Sequence, residues 1–217
     1  MTRATIVPDD AFGRETAIAA LRAGGLVGLP TDTVYGIAVG LATPGGIERL
    51  FAAKDRPADK AIMVLVDGPD QVASLVAWPR AARVLAELWP GGLTLVLPLL
   101  DAAVVPPALV GAGRTLGVRV PDHPSPRALA RVLGPLPTTS ANRSGEPAAM
   151  RADAVAATLG DRLVTILDGG PSAGGTASSV VDCSVERPVV LRPGAITAAT
   201  LAALLDAAGI GHEIRGR

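Results

Sequence analysis

The sequence predicts an α/β (α+β) fold built on a mixed sheet. Seven short apolar runs rich in β-branched residues are typical of buried strands, and six stretches with helical spacing of apolar residues lie among them. Some neighbouring strands have no helix between them, whereas parallel neighbours need a long crossover. We therefore expect both parallel and antiparallel pairs within one sheet.

The predicted strands are Leu26–Leu29, Ile62–Val66, Leu93–Leu97, Leu116–Val120, Leu163–Leu167, Ser179–Val181 and Val189–Leu191. The predicted helices are Glu15–Arg22, Gly46–Ala53, Arg80–Leu88, Pro126–Leu133, Ala152–Leu159 and Ala198–Ala208. Ser125 and Thr197 are expected to be the N-caps of the fourth and sixth helices, because a hydroxyl there can accept from a free backbone amide.

Length and composition favour one globular domain over residues 1–217. Hydrophobic residues make up 49% of the 217 and only five are aromatic, so the core must consist of Ala, Val, Leu and Ile. Twenty basic and twenty acidic side chains cancel. A zero net charge gives no general attraction to nucleic acid, which argues against a non-catalytic RNA-binding module and leaves room only for a weak contact through a local basic patch.

Metal, membrane and secretory functions are not indicated. Cys183 is the only cysteine and lies in an apolar run typical of a strand, and His123 and His212 are the only histidines, so no metal site is expected. The N-terminus has no apolar segment of a signal peptide, and prolines interrupt the apolar stretch 93–110. We expect a cytoplasmic protein that does not contact a membrane.

Two distant segments carry cations and small polar groups suited to phosphate and carboxylate oxygens. They are Lys54-Asp55-Arg56-Pro57, at the end of a predicted helix, and Thr139-Ser140-Ala141-Asn142-Arg143-Ser144-Gly145. Together they indicate a nucleotide site. The alternative for the first segment is that its cations only complement the negative end of the helix and remain solvated.

A further polar segment, Thr31-Asp32-Thr33-Val34-Tyr35-Gly36, follows a predicted strand. It is either a turn with local side-chain to backbone hydrogen bonds or the wall of a substrate pocket. Arg119 and Arg192 lie in otherwise apolar strands. An unpaired charge there is costly, so each arginine either reaches solvent or points at an anion, and we favour the anion.

The glycine-rich segment 169–175 follows another predicted strand. It is either a surface turn or a cradle whose amides bind an anion, although it lacks the lysine of a P-loop. Its formal G-x-S-x-G match around Ser172 does not open a helix, so a serine nucleophile is disfavoured.

The sequence resembles the threonylcarbamoyl-AMP synthases with the YrdC-like fold. The matching segments, in the order found in that family, are Pro30-Thr31-Asp32-Thr33-Val34-Tyr35-Gly36, Lys54-Asp55-Arg56-Pro57, Val118-Arg119-Val120-Pro121, Ser140-Ala141-Asn142-Arg143-Ser144-Gly145, Ser179-Val180-Val181-Asp182 and Leu191-Arg192-Pro193-Gly194. The resemblance implies a twisted sheet flanked by helices around a concave central cavity. It also implies an enzyme that condenses L-threonine, bicarbonate and ATP into threonylcarbamoyl-AMP and pyrophosphate, with Mg²⁺ accompanying ATP, before partner proteins transfer the group to tRNA.

The resemblance also implies roles for particular side chains. Those expected at the nucleotide are Lys54, Arg56, Ser140, Asn142 and Arg192, of which Lys54 and Arg56 also bind the carboxylated intermediate. Those expected around threonine are Thr31, Thr33, Tyr35, Arg119 and Ser178 or Ser179, with Arg119 holding the carboxylate of the amino acid. We expect alanine at Lys54 or Arg56 to abolish turnover without affecting folding.

The sequence departs from the pattern of many relatives in two places. A histidine that often follows the K-x-R-P segment is absent, and Ser178-Ser179 replaces the usual Ser-Thr. The chain resembles the short form of the family, which lacks an extra C-terminal domain.

Overall fold

A computed structural model describes residues 3–55 and 62–215 of the chain. Its strands are β1 Thr5–Pro8, β2 Val27–Leu29, β3 Gly36–Ala38, β4 Met63–Leu65, β5 Leu93–Pro98, β6 Thr115–Arg119, β7 Leu136–Ser140, β8 Thr165–Asp168, β9 Ser179–Asp182, β10 Val189–Arg192 and β11 Glu213–Ile214. Its helices are α1 Ala11–Arg22, α2 Gly46–Ala53, α3 Arg80–Leu85, α4 Pro124–Leu133, α5 Ala152–Leu159 and α6 Ala198–Ala207.

Within the described residues the strands form one sheet in the order β1-β8-β2-β3-β7-β4-β6-β5-β9-β10-β11. β4 pairs in parallel with β6 and antiparallel with β7, and β5 pairs antiparallel with β6 and in parallel with β9. The prediction of a mixed sheet flanked by helices is therefore confirmed. The pairing of β4, β5, β6, β7 and β9 brings together segments that are far apart in sequence.

The two faces of the sheet are covered differently. Helices α1 and α4 pack on one face, where Leu21 and Leu129 meet alternate residues of β2, β4 and β8. The opposite face carries the larger core, in which Val155 of α5 contacts Ile166 of β8. Because side chains alternate along a strand, each strand contributes to both layers. The part of the first face that α1 and α4 leave uncovered is where the cavity described below lies.

Capping residues explain where three helices begin. The α1 helix starts at Ala11, four residues before the predicted start, because the Asp10 carboxylate accepts from the Gly13 amide at 2.8 Å. The prediction of Ser125 as the N-cap of α4 is wrong. His123 has that position, and its ring Nδ1 accepts from the backbone amide of Ser125. Thr197 is confirmed as the N-cap of α6, since its hydroxyl accepts from the Thr200 amide.

Four strands of the sheet were not predicted from the sequence, namely β1, β3, β7 and β11. β3 has three residues and contains Gly36, and β7 contains Pro137 and three hydroxyl residues, so neither shows an apolar run. β7 is nevertheless paired on both sides, with β3 and with β4. These tertiary pairings, rather than local propensity, determine its conformation.

Cys183 follows β9 directly and is 1% exposed. Burial raises the pKa of its thiol to about 12, so it is a core side chain without nucleophilic character at neutral pH. None of the helices within residues 3–55 and 62–215 is both long enough and apolar enough to cross a bilayer.

Candidate functional site

A cavity of about 330 Å³ opens on the face of the sheet that α1 and α4 leave uncovered. Alternate residues of β4, β5, β6 and β9 line it, as expected for side chains that project from one face. The predicted site residues that line it are Thr31, Thr33, Tyr35, Arg119, Ser140, Ser178 and Arg192. Predicted residues from five separate segments of the chain are thus brought to one cavity.

Arg119 lies in the wall of this cavity with 2% of its side chain exposed. Its guanidinium group donates to the Asp32 carboxylate at 2.6 Å, to the Thr33 hydroxyl at 2.9 Å and to the Gly91 carbonyl at 2.9 Å. Arg119 thus points at an anion rather than at solvent, but that anion is Asp32 of the protein itself, and binding of a ligand carboxylate by Arg119 stays a prediction. Burial acts to lower the pKa of Arg119, and the Asp32 charge opposes that effect.

The segment after β2 is both a turn and a wall of the cavity. The Thr31 hydroxyl donates to the Val34 carbonyl at 2.6 Å and accepts from the amides of Thr33 and Val34. This is the local hydrogen bonding expected of a threonine turn. The same turn fixes the Thr33 hydroxyl 3.0 Å from that of Thr31 and within reach of Arg119. The two interpretations of the sequence are therefore compatible.

Ser178 and Ser179 have different positions. The Ser178 hydroxyl lines the cavity and lies 2.9 Å from the hydroxyl of Thr94, and its carbonyl accepts from the Arg192 guanidinium at 2.7 Å. Ser179 is completely buried, and its hydroxyl bonds to the backbone of Ile196. Of the two serines, the structure brings Ser178 to the cavity.

Lys54 joins the two segments that indicated a nucleotide site. Its side chain is buried, and the ammonium group donates to the Ser140 and Asn142 carbonyls and to Asn142 Oδ1 at 2.9 Å. Asn142 Oδ1 also accepts from the Ser140 hydroxyl at 2.6 Å. Of these three residues only Ser140 lines the cavity, and Lys54 and Asn142 both contact Ser140. Arg56 lies outside the described residues.

The ammonium group of Lys54 turns away from the end of α2 and into the loop after β7. The carbonyls of Ala52 and Ala53 at that helix end accept instead from Arg162, at 3.1 and 2.9 Å. For Lys54, the interpretation as a solvated partner of the helix dipole is therefore wrong. Its burial also changes the expectation that alanine at this position would leave folding unaffected, since several oxygens would lose their donor.

Tyr35 anchors the glycine-rich loop. Its hydroxyl donates to the Gly170 carbonyl at 2.7 Å and accepts from the Gly169 amide at 3.2 Å, and burial raises its pKa to about 12. The Gly175 amide donates to the Thr33 carbonyl at 3.0 Å. These contacts use loop amides that an anion cradle would need, so the loop serves as a support for the Thr31–Gly36 segment.

Residue 174 must be glycine for this packing. A Cβ there would lie 2.6 Å from the Asp32 carbonyl oxygen, a distance that Cβ atoms essentially never show, so a larger residue would force the two backbones apart. The absence of a side chain at Gly174 lets the loop approach the Asp32 backbone closely enough for the Gly175 amide to bond to the Thr33 carbonyl.

Two residues shape the site without having been predicted to do so. The sequence indicates no partner for Asp32, and Thr94 lies in a predicted apolar strand. Thr94 is 4% exposed, lines the cavity and lies 3.2 Å from the sulfur of Met63. Its signal in the sequence is that it is the single polar residue among the alternate positions of β5.

Comparison with known proteins finds relatives that all belong to one family. A family model described as "Telomere recombination", which represents the Sua5, YciO and YrdC proteins, matches residues 19–194. A threonylcarbamoyl-AMP synthase of Bacillus subtilis is 38% identical over 192 residues, which is 87% of this chain and 55% of the relative. A putative threonylcarbamoyl-AMP synthase of Mycobacterium tuberculosis is 38% identical over 91% of this chain and 92% of its own length. The chain thus spans about half of the first relative and nearly all of the second.

Solved structures agree with these sequence matches. Sua5 of Pyrococcus abyssi complexed with L-threonine superposes with a TM-score of 0.88 at 33% identity, over 98% of this chain and 62% of that protein. YciO of Escherichia coli, at 24% identity, shares the fold with a TM-score of 0.78. The match of the family model to most of the chain, on the fold and motifs described above, establishes that this chain belongs to the Sua5/YciO/YrdC family.

Proposed function

We propose that the chain is an L-threonylcarbamoyladenylate synthase that converts L-threonine, bicarbonate and ATP into threonylcarbamoyl-AMP and pyrophosphate. The observation that supports this most directly is that Arg119 and Ser140 line one shared cavity. Around Arg119 the cavity offers a buried cation and hydroxyls suited to an amino acid. Around Ser140 it offers polar groups suited to a nucleotide. Relatives that bear the name threonylcarbamoyl-AMP synthase support the same assignment.

Threonine would bind at the Arg119 end of the cavity. A buried guanidinium group favours a carboxylate, and Arg119 has its position fixed in advance by Asp32 and Thr33. Thr31, Thr33, Tyr35 and Ser178 would surround the rest of the amino acid. The P. abyssi protein that shares this fold was solved with L-threonine. Discrimination against serine would depend on contacts with one methyl group, worth about 1–3 kcal/mol.

The nucleotide would lie toward Ser140, with Arg192 on the neighbouring wall and Lys54, Asn142 and Arg56 completing its surroundings. In the proposed reaction, the amine nitrogen of threonine first forms a bond to the carbon of bicarbonate, and a C–O bond of bicarbonate breaks so that water leaves. A carboxylate oxygen of the N-carboxylated product then attacks the α-phosphorus of ATP. A new P–O bond forms as the bond between the α-phosphorus and the bridging oxygen breaks, and the electron pair leaves with pyrophosphate. Fixed donors and orientation supply most of what such a step needs from a protein.

Magnesium would enter as the ATP complex. Within the described residues there is no group of three or more His, Cys, Asp or Glu side chains that could hold a metal ion. The carboxylate nearest the predicted amino-acid site, Asp32, is already paired with Arg119. Mg²⁺ usually keeps several waters and binds substrate phosphates, so this donor set fits an ion carried by ATP.

The same proposal places the protein in the cytoplasm, as a single YrdC-like domain acting before tRNA modification. Its product is an activated acyl-adenylate, which must be used by a separate acyl-transfer reaction on tRNA. Partners for that transfer, and any weak contact with tRNA itself, belong to this proposal.

The test is release of pyrophosphate from ATP by the purified chain. We expect release only when L-threonine and bicarbonate are both present, with less release when serine replaces threonine. Arg119→Lys should raise the KM for threonine, whereas Arg80→Lys, at a helix end away from the cavity, should leave it unchanged. Absence of threonine- and bicarbonate-dependent release would overturn the proposal.

A further inference from the structure

Arg162 lies just beyond α5 and has no role in the proposed chemistry, yet it contacts the segment that carries Lys54. Its Nη1 donates to the Ala52 and Ala53 carbonyls and to Asp55 Oδ1, the last at 3.0 Å. The two carbonyls are at the end of α2, where backbone acceptors have no partner within the helix, although the Ala52 carbonyl also accepts from the Asp55 amide at 3.2 Å. A cation at that position also complements the negative end of the helix dipole.

Asp55 has an unusual backbone conformation at this junction. Its φ of 51° makes it one of two non-glycine residues with positive φ in the described part of the chain. Aspartate tolerates this left-handed region better than most residues, but the conformation must still be held by contacts. Its carboxylate contacts Arg162 and, at 3.5 Å, Arg143 of the loop after β7.

The two arginines differ in how many groups of this segment they hold. Arg143 and Asp55 are 43% and 55% exposed and 3.5 Å apart, and such a surface pair contributes little. Arg162 is 26% exposed and binds three acceptors that all belong to the end of α2 and the residues after it. Arg162 is therefore the contact that can fix the direction in which the chain leaves α2.

That direction determines the position of Lys54. Arg162 binds the residues on both sides of Lys54, namely the Ala52 and Ala53 carbonyls before it and the Asp55 carboxylate after it. The carbonyl of Lys54 accepts from the Ser144 amide at 2.9 Å. Its ammonium group then reaches the oxygens of Ser140 and Asn142. The polar wall of the cavity at Ser140 thus depends on the end of α2 through Lys54.

We propose that Arg162 is a positioning residue that holds Asp55 in its left-handed conformation and thereby places Lys54 against Ser140 and Asn142. The proposal rests on the function proposed above. Arg162 is not among the described residues that line the cavity, so its effect on the nucleotide side passes through the segment after α2 that carries Lys54. The threonine side, built on Arg119, is independent of it.

The first experiment compares Arg162→Ala with Arg80→Ala, because Arg80 also donates to the carbonyl at a helix end, that of Ala208 after α6. We expect Arg162→Ala to lower kcat by roughly 10- to 100-fold, as a displacement of about 1 Å can. The KM for threonine should stay within about twofold, because that side of the site is intact. Arg80→Ala should match the wild type. Equal kcat values for both variants, or a loss confined to threonine KM, would overturn the proposal.

The second experiment does not need the enzyme to be active. Hydrogen exchange of the Ser144 amide reports on its bond to the Lys54 carbonyl, and it should be faster in Arg162→Ala and unchanged in Arg80→Ala. Asp55→Gly permits the same backbone angle but removes the carboxylate, so it should also accelerate exchange, and the double variant should be no worse than the worse single one. Unchanged exchange in Arg162→Ala would reject the positioning role. A wild-type chain without pyrophosphate release would reject the proposed function alone.

Discussion

Arg119 and Asp32 form an ion pair of 2.6 Å in the wall of the cavity, with side chains that are 2% and 18% exposed. A buried cation requires a counter-charge, because a guanidinium group removed from water is costly when it is unpaired. Asp32 therefore allows Arg119 to be kept inside the protein in a fixed orientation.

Asp32→Ala should lower the free energy of unfolding by about 3 kcal/mol, because it leaves a buried charge without its partner. Urea denaturation measures this change. Asp67→Ala is the matched control, since Asp67 also pairs with arginines, but these are 35% and 64% exposed, and its loss should cost less than about 1 kcal/mol. Equal losses in the two variants would show that burial of the Arg119 pair contributes nothing.

Threonine should stabilise the Asp32→Ala variant more than the wild type, if its carboxylate is bound by Arg119. The ligand would supply the anion that the substitution removes. The measurement is the rise in Tm at saturating threonine for both proteins, compared with the rise given by threoninol, which has no carboxylate. Equal rises with both compounds would place the carboxylate of threonine elsewhere.

Lys54→Met should abolish turnover and also lower the free energy of unfolding by about 1–3 kcal/mol, because buried oxygens of Ser140 and Asn142 lose their donor. Methionine keeps most of the volume of the side chain, so the loss reports on hydrogen bonding. Arg22→Met, at an exposed position in the last turn of α1, is the control and should change neither quantity. A fully stable and inactive Lys54→Met would indicate a role at the phosphates alone.

Tyr35 should titrate near pH 12 in the folded protein, and its absorbance can be followed alone because it is the only tyrosine. An unfolded tyrosine loses its proton near pH 10. Between these pH values the folded state retains a proton that the unfolded state has lost, so stability is complete below about pH 10 and falls as the pH rises toward 12. Tyr35→Phe should remove this part of the alkaline decline. An absorbance step near pH 10 in the native protein would contradict the buried hydroxyl.

His123 should make the protein sensitive to acid. Burial lowers its pKa in the folded state, so below about pH 6.5 the unfolded state takes up a proton that the folded state does not. Stability from this group is complete above pH 6.5 and is lost as the pH falls. Protonation would also remove the Nδ1 acceptor that caps α4. His123→Asn, which keeps a capping side chain, should reduce the acid sensitivity measured by Tm, and an unchanged acid sensitivity would contradict the role of the buried imidazole.

The layer structure of the protein was largely predictable from sequence. Apolar runs identified β2, β4, β5, β6, β8, β9 and β10, and helical spacing identified all six helices within the described residues. β7 escaped because its conformation depends on pairing with both β3 and β4 rather than on its own composition. The N-cap at His123 escaped because the sequence shows no sign that an imidazole will be neutral and accept a hydrogen bond.

For the site, the sequence indicated which residues would come together but not how each would be used. Arg119 was expected to meet an anion, but only the fold shows that this anion is Asp32. Ser178 and Ser179 are equivalent in sequence, and only the pairing of β9 with β5 determines which one faces the cavity. The contact between Lys54 and Ser140 spans 86 residues, and no local pattern specifies it. The roles assigned to these residues in binding remain predictions.

The parallel pairing of β5 with β9 determines when during synthesis the site can exist. Leu93 pairs with Ser179, and Arg192 contacts Ser178 from the following strand. A nascent chain that has left the ribosome only as far as Asn142 already contains Arg119 and Lys54, but it lacks the wall that closes the cavity. The cavity is therefore complete only after β9 and β10 have left the ribosome, and a chain that stops at Asn142 would lack this wall.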